Sequence, residues 1–355
     1  MKVVTNRIRG LHPVVFNESL LVRIWPPVIL VLILLSISLL STFFGGPLIK
    51  LAIIEMLVKV VVIVGLYIFI GNSGIVSFGH IVFMLLGAYC TAWLTLPVPF
   101  KQLSLTGLPD FLIKHQYNVF LAAMASGGLA AAFAAIIGFG LMQASGIAAS
   151  MAMFGVLAAV NTVYANWEAV TMGLSSIVGL PMYVNVWVGF AWATAVIWTA
   201  FAYQSSRFGL ALRATREDEA AAKASGINIV MQRFIAFVLS AFFVGVGGAL
   251  YAHFIGVISV DTFYIEMTFV TLAMLVFGGM RSLSGAVIGV ITISGLIDLL
   301  REVEGGIRIG GVLLSAPAYA QELGFAIVMI LVLVFRPKGL MAGHELYWPI
   351  GIRKN

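Results

Sequence analysis

Charged residues are scarce in this sequence. Only 10% of its 355 residues are Asp, Glu, Lys or Arg, whereas soluble domains carry about a quarter. With 61% hydrophobic residues, the chain has too few polar side chains to cover the surface of a soluble domain. The composition therefore excludes an ordinary soluble protein and predicts that most of the chain contacts lipid.

Cysteine pairs and the common catalytic motifs are also missing. The single cysteine, Cys90, excludes an internal disulfide and a zinc site built on several cysteines. No second histidine follows His344 at the spacing of a helical zinc protease, and no G-x-x-x-x-G-K-[ST] phosphate loop occurs. We therefore expect no catalytic residues, no metal site and no cofactor bound by this chain.

The net charge of +6 has its origin in membrane orientation rather than in nucleic-acid binding. Basic residues lie at the ends of hydrophobic runs and form no single stripe, as the positive-inside rule predicts for a membrane protein. We expect no nucleic-acid partner.

Hydrophobic runs of about 20 residues recur along the chain, and a helix of that length crosses a hydrocarbon core about 30 Å thick. The runs do not alternate polar and apolar residues as barrel strands do, so the predicted fold class is all-α, a polytopic transmembrane helical bundle. We expect ten spans, or eight if two segments are re-entrant. They are 25–44, 50–70, 75–96, 119–138, 146–164, 184–203, 234–253, 265–280, 284–300 and 321–335.

Ten spans place both termini on one side, and the basic segment 204–233 favours a cytoplasmic N-terminus, since 160–183 on the opposite side has no Lys or Arg. The predicted organisation is a cytoplasmic segment 1–24, a transmembrane domain 25–335 and a cytoplasmic tail 336–355. Five spans per half also allow a 5+5 inverted repeat, because an odd number of spans inverts the second half.

Residues 204–233 form the longest polar stretch between spans. Acids near 217, alanines near 221 and Gly226 predict a short helix with a C-terminal glycine. A cytoplasmic helix whose face carries small side chains is suited to docking in a groove of another protein. The alternative is a solvated connector between two spans.

The same stretch resembles the coupling loop of ABC importer permeases, in which two alanines are followed after three residues by a glycine. Ala221, Ala222 and Gly226 match this spacing, whereas Glu219 stands one residue before the usual acid. Within these importers the chain is similar to membrane subunits of branched-chain amino-acid importers. The similar blocks are 77–80, 87–89, 209–214, 216–219, 226–228, 236–240, 247–252, 278–279 and 336–340. The loop 172–181 keeps the family's glycine-rich pattern only in part.

The resemblance implies a permease subunit in the bacterial inner membrane that forms part of the pathway for branched-chain, hydrophobic amino acids. It implies alternating access powered by two separate ABC ATPase subunits, which would bind ATP and Mg. Its other implied partners are a homologous second permease subunit, a periplasmic solute-binding protein, the amino acid and membrane lipid. The residues implied for ATPase coupling are Arg213, Arg216, Glu217, Asp218, Glu219, Ala221, Ala222 and Gly226.

Glycine-rich turns near 71–80 and 278–282 are candidates for the solute pathway, because broken helices expose backbone groups to a substrate. Instead of contacting a solute, the glycines could allow close packing of helices, and the histidine could stabilise the turn. The candidate pathway residues are Gly71, Gly74, Ser77, Gly79, His80, Gly278, Gly279 and Ser282.

Ionisable residues inside the predicted spans are few. Glu55 and Lys59 stand four residues apart on one helical face, which predicts a salt bridge, with a transport role as the alternative. Asp298 lies near the end of a span and is expected to reach the interface. An ion-coupled secondary transporter or channel is the alternative to an ATP-driven permease, and it would work without an ATPase.

Overall fold

The structure, a computed structural model, describes residues 20–305, 307–309, 312–314, 320–336, 338–347 and 351–354. The predicted segment 1–24 falls mostly outside the described residues. In chain order the helices are α1 (Leu20–Phe44), α2 (Pro47–Ser73), α3 (Ile81–Thr95), α4 (Val98–Ser104), α5 (Asp110–Ile113), α6 (Val119–Leu141), α7 (Gly146–Asn166), α8 (Glu168–Thr171), α9 (Val186–Ser205), α10 (Arg207–Glu217), α11 (Glu219–Ala224), α12 (Ile229–Ile255), α13 (Ile265–Gly278), α14 (Leu283–Gly305) and α15 (Ala320–Phe335).

Within the described ranges, the segments outside the helices form three short antiparallel ribbons of two strands each. Their strands are β1 (Ile177–Val178) with β2 (Val257–Ile258), β3 (Ile307–Ile309) with β4 (Val312–Leu314), and β5 (His344–Tyr347) with β6 (Gly351–Lys354). The predicted polytopic helical fold is confirmed.

Each of the ten predicted spans overlaps one helix, although α3 begins at Ile81 and not at residue 75 as predicted. Seven of the described helices are long and apolar enough to cross a bilayer, and an eighth span is present if α3 and α4, bent by 115°, count as one. Helix α13 has only 14 residues, because Gly279 leaves the helical conformation with φ +111°. The span count, the cytoplasmic side and the inverted repeat stay predictions.

Loops predicted to share a side of the membrane contact each other. At one end of the bundle, β1 pairs with β2, and the ring Nδ1 of His253 near the end of α12 donates to the Pro181 carbonyl at 2.8 Å. At the other end, the Arg216 guanidinium donates to the Gly71 carbonyl at 2.7 Å. The contacts therefore agree with the predicted alternation of the loops.

The centre of the bundle is built on α2 and α12. Helix α2 is buried continuously from Val60 to Ser73, and α12 packs against α2, α3 and α6. A Cβ atom at Gly248 would overlap the carbonyl oxygen of Met84, so α12 and α3 approach backbone to backbone. Small residues allow this close approach between helices in lipid.

Candidate functional site

The predicted coupling helix is two helices with a break at Asp218. This residue is extended, and its carboxylate accepts a hydrogen bond from the Ala221 amide at 3.0 Å, which caps the first turn of α11. Gly226 adopts φ +79° and ends the segment, as its glycine predicted. The single helix expected from the sequence is interrupted because an aspartate at a helix start competes for the backbone amides.

The two alanines of the coupling pattern face opposite ways. Ala222 is buried against the bundle, and Ala221 is exposed together with Ala220 and Ala224. Glu219, also on α11, forms an ion pair with Arg233 at the start of α12. Helix α11 therefore presents a small outer face and is fixed to the bundle by its inner face.

Two of the three arginines of α10, Arg213 and Arg216, point into the bundle. Besides donating to the Gly71 carbonyl at the end of α2, Arg216 pairs with Glu217 at 2.8 Å. Arg213 donates to the Gln204 carbonyl at 2.7 Å, and the Gln204 side chain accepts from the Tyr67 hydroxyl of α2 at 2.7 Å. The two arginines thus connect α10 to α2 and α9.

The acids next to these arginines face solvent. Glu217 and Asp218 are both exposed, and the hydrogen bond from Arg216 lowers the pKa of the Glu217 carboxyl. The outward charge beside α11 is therefore negative.

A cavity of about 260 Å³ brings part of the two predicted sets together. It lies where the end of α2, the α10–α11 break and the α13–α14 turn meet. Its lining includes Gly71, Gly74, Arg216, Glu219 and Arg281. Two of the candidate pathway glycines thus adjoin the coupling residues at the end of the bundle that is predicted to be cytoplasmic.

The remaining candidates of the first glycine-rich turn are enclosed. His80 is buried, with its ring stacked on Phe69 at 5.2 Å and edge-on to Phe237 at 5.3 Å. Ser77 is buried as well, and a Cβ atom at Gly79 would overlap the Met153 carbonyl. In this conformation the three residues pack the interior, and none of them lines the cavity beside Gly71 and Arg216.

The second glycine-rich turn is covered by the C-terminal segment. A Cβ atom at Gly278 would overlap the Gly285 carbonyl, and the Ser282 hydroxyl accepts from the Gly285 amide at 3.0 Å. The Leu340 and Met341 amides donate to carbonyls at the end of α13, at 2.8 and 3.0 Å. These contacts make the turn a packing junction.

Glu345 is a residue of this junction that the sequence did not single out. Its carboxylate is buried and accepts from the backbone amides of Leu283 and Ser284 at 2.8 and 2.9 Å, at the first turn of α14. An acid at a helix N-terminus is favourable, but nothing local in the sequence links residue 345 to residue 283.

The ion pair predicted within α2 is confirmed, with Lys59 Nζ 2.6 Å from Glu55 Oε1. Arg301 of α14 extends it, since its Nη1 lies 3.8 Å from Glu55 Oε2 and 3.4 Å from Asp298 Oδ1. Asp298, near the end of its predicted span, therefore belongs to a charged network.

Comparison with known proteins identifies the family of this chain. The model of the branched-chain amino-acid transport system permease component matches residues 48–334. The chain belongs to this permease family. It is a multi-pass protein of the bacterial inner membrane.

Proteins similar to this permease include permeases named for two kinds of solute. The LivM permease of the high-affinity branched-chain amino-acid system of Salmonella typhimurium is 28% identical over 38% of this chain and 28% of its own length. The guanosine ABC transporter permease NupQ of Bacillus subtilis is 29% identical over 59% of this chain and 69% of its own length. The nucleoside ABC transporter permease NupC of Lactococcus lactis is 31% identical over 43% of this chain and 47% of its own length. No solved structure matches the chain.

Proposed function

We propose that this permease is a membrane subunit of an ATP-driven importer for branched-chain amino acids and that α11 is the docking site for a separate ATPase subunit. The proposal includes the assembly implied by the sequence: two ATPase subunits that bind ATP and Mg, a homologous second permease subunit and a periplasmic solute-binding protein. The chain itself performs no catalysis in this proposal.

The observation that carries the proposal is the outer face of α11 and its connection to the bundle. The outer face of α11 carries the methyl groups of Ala220, Ala221 and Ala224. Because methyl groups add little bulk, this face can fit closely into a groove on a partner protein. Glu219 joins α11 to Arg233 of α12. A force applied to α11 would therefore reach a long central helix directly.

Arg216 supplies a second connection, from α10 to the end of α2. The contact joins residues 145 positions apart in sequence, and charged hydrogen bonds of this kind resist displacement more than neutral ones do. Movement of α10 and α11 would carry α2 and α12 as rigid bodies, which is a general way to switch the open side of a pathway.

The docking step is tested by the substitution Ala221→Arg. A large charged side chain on the outer face of α11 should abolish co-purification with the ATPase subunits and leave membrane insertion intact. The matched control is Ala169→Arg, an exposed alanine of α8 on the opposite end of the bundle. Normal ATPase binding by the Ala221 variant would refute docking at α11.

Solute and energy source are tested together in proteoliposomes that contain the complete complex. We expect ATP-dependent uptake of leucine that persists without an ion gradient. Uptake driven by an ion gradient without ATP would establish the secondary-transporter alternative. ATP-dependent uptake of guanosine with no uptake of leucine would assign the permease to nucleosides, the solute class of its relatives NupQ and NupC.

A further inference from the structure

Four charged side chains of alternating sign meet between α2 and α14. Glu55 lies 2.6 Å from Lys59 on its own helix and 3.8 Å from Arg301 on the facing helix. Arg301 in turn lies 3.4 Å from Asp298. The network contains two acids and two bases, so its formal charge is zero.

The network extends into the depth of the membrane. Lys59 stands 12 residues after the start of the 27-residue α2, which is about 18 Å along a helix that rises 1.5 Å per residue. Ionised side chains at such depth are costly in hydrocarbon and face protein or water instead. This face of α2 and α14 is therefore unsuited to contact with lipid.

The exposure of the four side chains increases toward one end. The exposed fraction is 13% for Lys59, 21% for Glu55, 33% for Asp298 and 55% for Arg301. The network thus opens toward the C-terminal end of α14, which the predicted topology places outside the cell.

Apolar surface adjoins the charged groups. Leu51, one turn before Glu55 on α2, is exposed. Gly295 lies one turn before Asp298 on the same side of α14, and a Cβ atom there would meet no other atom within 4 Å. The same face therefore offers charge, an aliphatic side chain and open space beside each other.

We propose that this face lines the solute pathway and that Arg301 and Asp298 bind the carboxylate and the ammonium of an aliphatic amino acid. This assignment rests on the proposed function as an amino-acid importer. The contact between Arg301 and Asp298 is long at 3.4 Å, so the two groups bind each other weakly. A zwitterionic amino acid can replace this contact without changing the net charge, because it supplies one carboxylate and one ammonium. Glu55, which is paired with Lys59, positions Arg301 from the more deeply buried side of the network, and Leu51 contacts the aliphatic side chain of the solute.

The pathway is tested by cysteine accessibility, which does not depend on transport. Gly295→Cys, in a Cys90→Ala background within the complete complex, should react with a membrane-impermeant methanethiosulfonate reagent, and leucine should slow the reaction. The control is Ile136→Cys on the exposed face of α6, which should remain unreactive in lipid. An unreactive Gly295→Cys would show that lipid or a partner protein covers this face and would overturn the proposal.

Binding is tested by Arg301→Gln and Asp298→Asn. Each should raise the KM for leucine at least tenfold while ATPase co-purification stays normal. Lys114→Gln and Asp110→Asn are the matched controls, because that ion pair has the same 2.6 Å spacing as the pair in α2 but is well exposed along α5. An unchanged KM in the Arg301 variant would refute solute binding there. If the unaltered complex takes up no leucine with ATP, the proposed function fails, whereas reactivity of Gly295→Cys still decides whether the face lines a pathway.

Discussion

Lys101 is buried although it lies in the polar segment between α3 and α6. Its ammonium donates to the carbonyl oxygens of Trp93, Leu112 and His115 at 2.9, 2.9 and 2.7 Å. These carbonyls belong to the ends of α3 and α5 and to the residues that follow, where backbone acceptors lack helical partners. A single cation thus holds the ends of two helices together, as expected for positive charge at helix C-termini.

Replacing this cation tests its role at the level of one residue. Lys101→Met should lower the free energy of unfolding by about 1–3 kcal/mol, because buried carbonyls are left without donors. The measurement is the thermal unfolding of the detergent-solubilised protein. The control Lys114→Met removes an exposed ion pair and should cost at most about 1 kcal/mol. Equal unfolding temperatures for the two variants would contradict the capping role.

Among the helices, the transmembrane ones follow closely from the sequence. Runs of apolar residues are a local signal, and α6 begins at Val119 as the span 119–138 predicted. The break at Asp218 was not predicted, because an aspartate within an acidic stretch is compatible with either a cap or a helix interior. The contact of Arg216 with Gly71 could not be predicted either, since it depends on how α10 folds back onto α2. The sequence therefore predicted which residues form the coupling segment. Which of their side chains face the bundle and which face solvent could be seen only in the structure.

Helix α10 is expected to transmit motion, and Arg216→Gln tests this at the level of the element. The shorter neutral side chain loses the charged hydrogen bond to the Gly71 carbonyl, a contact worth about 1.5–3 kcal/mol. The ATPase should still co-purify and hydrolyse ATP, but the leucine taken up per ATP should fall about tenfold or more. Arg207→Gln is the control, because it makes the same change at an exposed arginine of α10. An unchanged ratio of uptake to hydrolysis in the Arg216 variant would contradict transmission through this contact.

At the scale of the whole molecule, the two ends of the bundle differ in how they are built. One end is closed by β1 and β2, by the Asn161 side chain donating to the Val260 carbonyl at 3.2 Å, and by the contacts of Lys101. The other end carries α10, α11 and the C-terminal segment around Gly339 to Glu345, with the cavities between them. The proposed function requires the second end to face the cytoplasm, where an ATPase can reach α11.

That orientation is testable with two exposed serines. Ser175 precedes β1 and Ser225 follows α11, so the structure places them at opposite ends of the bundle. In a Cys90→Ala background, Ser175→Cys should react with an impermeant maleimide on intact cells, and Ser225→Cys should react only after the membrane is opened. Serine and cysteine differ by one atom, so neither change should disturb the fold. The reverse pattern would place α11 outside the cell, beyond the reach of any ATP-hydrolysing partner, and both the topology and the coupling role would then be wrong.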